Sequence, residues 1–109
     1  MKRCKFTKIV AGLSVVASIM GTTAFAEDTR IALVVKALGI GFFEAAAKGA
    51  EEAAAELGGV EIIYTGPTST TAEGQIEVIN SLIAQGVDAI AVSANDPDAL
   101  APALKKAMS

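Results

Sequence analysis

Three times between residues 30 and 108, a short apolar run gives way to a stretch whose apolar residues recur every three or four positions. The runs are Arg30–Lys36 (RIALVVK), Val60–Thr65 (VEIIYT) and Val87–Ser93 (VDAIAVS). Nearly continuous apolarity, rather than strict alternation, suits strands covered on both faces. Each run therefore predicts a strand of a parallel sheet, and each periodic stretch a helix crossing back over it. The fold class is α/β: three β–α units with right-handed crossovers and helices on both sides of the sheet, a three-layer arrangement.

The helices carry their own punctuation. From Phe42 onward, Phe43, Ala46, Ala47, Ala50, Ala53, Ala54 and Leu57 share one face, and Glu44, Lys48, Glu51, Glu52 and Glu56 take the other. Gly58-Gly59 stops this helix, with Gly58 expected in a left-handed cap. In the second helix Thr70 and Glu73 have capping-box spacing. Ile76, Ile79 and Ile83 form its buried stripe, with Val78 and Leu82 beside it, and Gly86 closes it. Asp96-Pro97-Asp98 reads as an N-cap, a proline in the first turn and an acid near the helix start. Pro102 removes one hydrogen bond from this last helix, so a short tight turn is expected before a regular helix that begins only after Pro102.

Charge separates the chain into a head and a body. Residues 1–26 hold Lys2, Arg3, Lys5 and Lys8 and no acid, whereas the rest hold 5 basic and 12 acidic side chains. An acidic body lacks the clustered cations that replace phosphate counterions, which argues against nucleic acid as a partner. With 52% hydrophobic residues the body is not disordered. There is no histidine, and the one cysteine is Cys4. A disulfide scaffold and a His/Cys zinc site are both excluded.

The head reads as an address. A basic segment precedes the apolar run Ile9–Met20, and Ala24-Phe25-Ala26 supplies small residues before Glu27. This is the pattern of a secretory signal peptide cleaved after Ala26, leaving residues 27–109 as the folded part. The apolar run is short of the roughly 20 residues that span a bilayer. Export to the periplasm is the expectation.

In a parallel α/β sheet, ligands sit beyond the carboxyl ends of the strands. That rule selects the loops 36–42, 65–71 and 93–97. The first contains Gly39-Ile40-Gly41, but Glu44 stands where a dinucleotide fingerprint needs its third glycine. No phosphate loop is present, so no nucleotide cofactor is expected. Two adjacent aromatics, Phe42 and Phe43, stand where the first helix begins. Aromatic faces stack on the C–H faces of sugars while polar neighbours meet the hydroxyls. Consecutive helix residues point about 100° apart. Phe43 fits the buried stripe and Phe42 does not, which leaves Phe42 as the candidate contact. Lys36 ends the first strand and points to the same mouth, unless it is simply a solvated strand end. Ser93 and Asn95 end the third strand, where capping of the last helix is the alternative and Asp96 is better placed for it. Asp88 reads as the start of a strand. Catalysis is not expected: Ser93 has no histidine to activate it, and Asp96 and Asp98 read as helix-start residues rather than a carboxylate pair.

Gly41-Phe42-Phe43-Glu44, Tyr64-Thr65-Gly66-Pro67-Thr68, the segment EGQIEVIN at 73–80 and the segment SANDPDAL at 93–100 together resemble the first part of periplasmic sugar-binding proteins of ABC importers. The likeness is strongest to rhamnose-binding receptors, with autoinducer-2-binding receptors next, and it runs over residues 30–108. It implies two α/β lobes joined by hinge strands, with a sugar held between them and a membrane permease as partner. Residues 27–109 would be part of the amino-terminal lobe, a fragment of a receptor whose remaining part is a further partner. By this resemblance Phe42 and Phe43 help form the sugar platform. Lys36 matches a ligand-contacting position in the autoinducer-2-binding relatives, and Ser93 one in ribose-binding relatives. Ile40 departs from the pattern, standing where sugar-binding relatives often have Asn. A related fold serves sugar-sensing repressors, but these need an amino-terminal helix-turn-helix where this chain has an export signal. An exported carbohydrate-acting enzyme is the rival of another class. No catalytic residue, metal or cofactor is expected.

Overall fold

The computed structural model describes residues 26–109. The expected leader, residues 1–26, lies outside the described residues except for Ala26. The element order is β1 (Thr29–Val34), α1 (Gly41–Leu57), β2 (Val60–Thr65), α2 (Ala72–Gln85), β3 (Ala89–Val92) and α3 (Pro97–Ala107). The three strands form one parallel sheet in the order β2-β1-β3.

The register explains the core. Ala32 lies beside Ile63 and Ile90, and Val34 beside Thr65 and Val92. These residues share one face, because side chains alternate along a strand. On that face Ala32 and Val34 pack with Leu82 of α2, while Ile79 meets Leu100 and Ala103 of α3. Ile79 and Leu100 are fully buried, which stabilises the fold by about 1.5–3 kcal/mol each. Ile31 and Leu33 point to the other face, beside Ile62 and Tyr64 of β2. The first crossover runs one way along the sheet and the second runs back past β1. Right-handed connections therefore place α1 on one face and α2 with α3 on the other.

Several local expectations need correction. Strand β1 begins at Thr29 and β3 spans only Ala89–Val92. At Asp88, just before β3, the side chain stands in for a strand carbonyl: its Oδ2 accepts the Arg30 N–H at 2.8 Å. The cap of α2 is Thr71, one residue later than expected, whose side chain accepts from the Gly74 N–H at 3.2 Å. Gly58 has a positive φ of 69° but a ψ of 151°, so it ends α1 outside the left-handed helical region, whereas Gly86 adopts it. Helix α3 is continuous from Pro97, with Pro102 inside it. The carbonyl that Pro102 leaves without a donor belongs to Asp98, and both residues are exposed, so it costs little to leave it outside the helix's own bonding. Finally, Ala46, Ala53 and Leu57 of the expected α1 stripe are exposed, and only Ala47 and Ala54 are buried. Helix α1 packs against β2, and the same face of β3, with Ala89 and Ala91, is exposed.

Candidate functional site

All three strands run parallel, so the loops 35–40, 66–71 and 93–96 emerge at one edge of the sheet, each leading into a helix. The first two are tied by backbone. The Val35 N–H donates to the Thr65 carbonyl at 3.0 Å, and the Leu38 N–H to that of Pro67 at 2.9 Å. Gly66 permits this approach: a Cβ there would lie 2.9 Å from the Val35 carbonyl oxygen.

The first and third loops are tied by side chains. Gln75, in the first turn of α2, is fully buried. Its Nε2 donates to the carbonyls of Val35 at 3.0 Å and Ser93 at 2.8 Å. Its Oε1 accepts the Asn95 N–H at 2.7 Å. Asn95 Nδ2 in turn donates to the Lys36 carbonyl at 2.9 Å and the Thr71 carbonyl at 3.2 Å. Both amide hydrogens of Asn95 are thus committed to backbone, and only its Oδ1 is left to meet a ligand. Gln75 was not among the residues picked out from sequence. The signal was its place in the stripe, since Gln75, Ile79 and Leu82 share the buried face of α2 and only Gln75 is polar. A buried amide needs partners to offset its lost water.

Around this braced edge stand the other candidates. Phe42 is 77% exposed, and Leu38 and Ile40 are exposed beside it in sequence. Phe43 is half-buried and meets Phe42 edge to face, with ring centroids 5.3 Å apart and planes at 81°. Helix α1 has no side-chain cap at Ile40, unlike α2 and α3, which Thr71 and Asp96 cap. Asp96 Oδ1 accepts the N–H groups of Asp98 and Ala99, both at 3.0 Å, so Asp96 is a capping residue as expected. Lys36 and Ser93 are half-buried at the ends of β1 and β3. The Ser93 backbone is used on both sides, its N–H donating to Val34 and its carbonyl accepting from Gln75. The arrangement brings Lys36, Ser93 and Asn95 to one edge with Phe42 and Phe43 at the start of α1. It offers an exposed aromatic face, a cation and a hydroxyl, which is a surface for binding. Among the described residues no cluster of His, Cys, Asp and Glu could hold a metal ion.

A cavity of about 570 Å³ lies elsewhere, between β3 and the carboxyl end of α3, where Ile83, Val87, Ile90, Val92, Leu104 and Met108 line it. It lies beside β3, away from the loop edge.

Comparison with known proteins agrees with this geometry. A family model described as a periplasmic binding protein domain matches residues 31–109. A D-ribose/D-allose-binding protein of Pseudomonas aeruginosa is 32% identical, over 99% of this chain and 36% of its own length. An ABC transporter solute-binding protein from Agrobacterium vitis, bound with α-D-tagatopyranose, superposes with a TM-score of 0.71 at 36% identity, over 74% of this chain and 27% of that one. LsrB from Clostridium saccharobutylicum in complex with AI-2 gives a TM-score of 0.70 at 34% identity, over 72% of this chain and 24% of that one. The chain thus spans about a third of the curated relative and about a quarter of these structures. The parallel β2-β1-β3 sheet, its loop edge and the family match together show that the chain belongs to the periplasmic binding protein domain family.

Proposed function

We propose that this chain supplies one wall of a sugar-binding site in the substrate-binding component of an ABC importer, working outside the cytoplasmic membrane and handing its ligand to a membrane permease. The observation that carries this reading is Phe42, an aromatic ring left 77% exposed at the carboxyl edge of a parallel sheet. An exposed apolar ring at that place gains by stacking on a pyranose or furanose face. In this reading Lys36 and Ser93 meet the sugar hydroxyls. The relatives bind D-ribose or D-allose and α-D-tagatopyranose, which supports a monosaccharide. The sequence resemblance favours rhamnose as that monosaccharide. The relatives are binding proteins, which supports a role without catalysis.

A second reading rests on Lys36 and on the AI-2 complex of the similar LsrB. In it the same mouth takes autoinducer-2, and the lysine meets its oxygens.

Calorimetry on the product recovered from the native cell envelope tests both. Rhamnose, D-ribose, D-allose and D-tagatose are titrated first, then autoinducer-2. Saturable binding of one sugar is expected, weakened about tenfold by Phe42→Ala, the equivalent of about 1.4 kcal/mol. Binding of autoinducer-2 alone, lost in Lys36→Ala, selects the second reading. No heat with any of these ligands overturns both.

A further inference from the structure

We propose that Gln75 is a positioning residue, which with Asn95 holds the loops after β1 and β3 at one fixed spacing so that Lys36 and Ser93 face a ligand together. The inference rests on the reading of this edge as a binding mouth. Gln75 is fully buried, so it touches no ligand itself. Its three hydrogen bonds reach the ends of two strands: Val35 on β1, and Ser93 and Asn95 after β3. Asn95 extends the brace to Lys36 and to Thr71, the cap of α2. Two side chains therefore connect all three loops, and every hydrogen on both side-chain amides has an acceptor.

The chemistry admits few substitutes. A methionine keeps the length and the apolar stripe of α2. It leaves the Val35 and Ser93 carbonyls and the Asn95 N–H without their side-chain partner. A glutamate keeps an acceptor for Asn95 but sets oxygen against two carbonyl oxygens. An apolar residue at this position would complete the core stripe, so packing alone does not call for an amide here.

Hydrogen exchange read by NMR, with sugar affinity measured beside it, tests the proposal on the product from the native cell envelope. The variants are Gln75→Met and Gln75→Glu, with Ile79→Val as a buried control one turn along α2. In Gln75→Met the amides of Leu38, Ser93 and Asn95 are expected to exchange at least about tenfold faster, while those of Ile31–Leu33 keep their rates. In Gln75→Glu the Asn95 amide stays slow and that of Ser93 speeds up. This split between the two variants is a signature that a general loss of packing does not give. Sugar Kd rises about tenfold in Gln75→Met and changes less than about twofold in Ile79→Val. Wild-type exchange in the loops of Gln75→Met, an equal rise in loops and strands, or an unchanged Kd beside loosened loops overturns the proposal. If the wild-type protein takes none of the sugars, the functional reading falls, and the exchange contrast alone decides whether Gln75 braces the edge.

Discussion

Phe42 and Phe43 are neighbours in sequence that sit in different surroundings, one ring in water and one half in the protein. Phe42→Ala is expected to change stability by less than about 0.5 kcal/mol, whereas Phe43→Ala lowers it by about 1–2 kcal/mol. Urea midpoints of the two variants measure this directly. Tyr64 offers a second test at this scale. Its hydroxyl is buried and, among the described residues, has no hydrogen-bond partner, so Tyr64→Phe is expected to leave stability unchanged or raise it by up to about 1 kcal/mol. A midpoint shifted downward by that variant would show that the hydroxyl has a partner in solution. The different surroundings of the two phenylalanines were legible from helical spacing, because only Phe43 falls on the apolar stripe. The commitment of Asn95 to backbone was not. Its partners at Lys36 and Thr71 lie 59 and 24 residues away, and no local pattern carries that distance. Gln75 was half-legible, as a polar residue in an apolar stripe, but what it holds depends on where two strands end.

Elements are governed by their ends. Asp96→Ala removes the acceptor for two N–H groups of α3 and is expected to lower stability by about 1 kcal/mol. Gly86 and Gly66 make a sharper comparison. A Cβ on Gly86 meets nothing within 4 Å, but its φ of 68° is left-handed. Gly86→Ala therefore lowers stability by about 1 kcal/mol through backbone strain alone. At Gly66 the φ is ordinary and the obstacle is the Val35 backbone at 2.9 Å, so Gly66→Ala is expected to lower stability more and to disturb the loop edge as well. Thermal melts of the two variants give the order, and a smaller loss at Gly66 would show that β1 and β2 can part there. Apolar continuity revealed the strands and periodicity the helices, down to both ends of β2 and the carboxyl end of α2. What failed was fine placement. The cap of α2 moved from Thr70 to Thr71, Pro102 was absorbed because the Asp98 carbonyl it leaves without a donor lies on an exposed turn, and α1 buried less because it packs mainly against one strand, β2.

At the scale of the whole sheet, two edges are open among the described residues, β2 on one side and β3 on the other. The β3 side carries exposed Ala89 and Ala91 on one face and the apolar cavity with Ile90 and Val92 on the other. Excised as residues 27–109, the chain is expected to self-associate, because an uncovered strand of buried type is a template for pairing. Sedimentation velocity would show species that grow with concentration and recede in Ala91→Lys. A single monomeric boundary at all concentrations would show that the edges are protected. The strand order has a further consequence, one of time. The strand made first is the one that ends in the middle, and its second partner arrives late: Arg30 in β1 and Asp88 just before β3, bonded to each other, stand 58 residues apart in sequence. Contacts that distant close slowly, because the intervening chain must lose its freedom before they form. Until β3 emerges, Ala32 and Val34 have half a sheet to bind to. A chain built in this order stays open while it lengthens, and β1 gains its second partner only when β3 has been made.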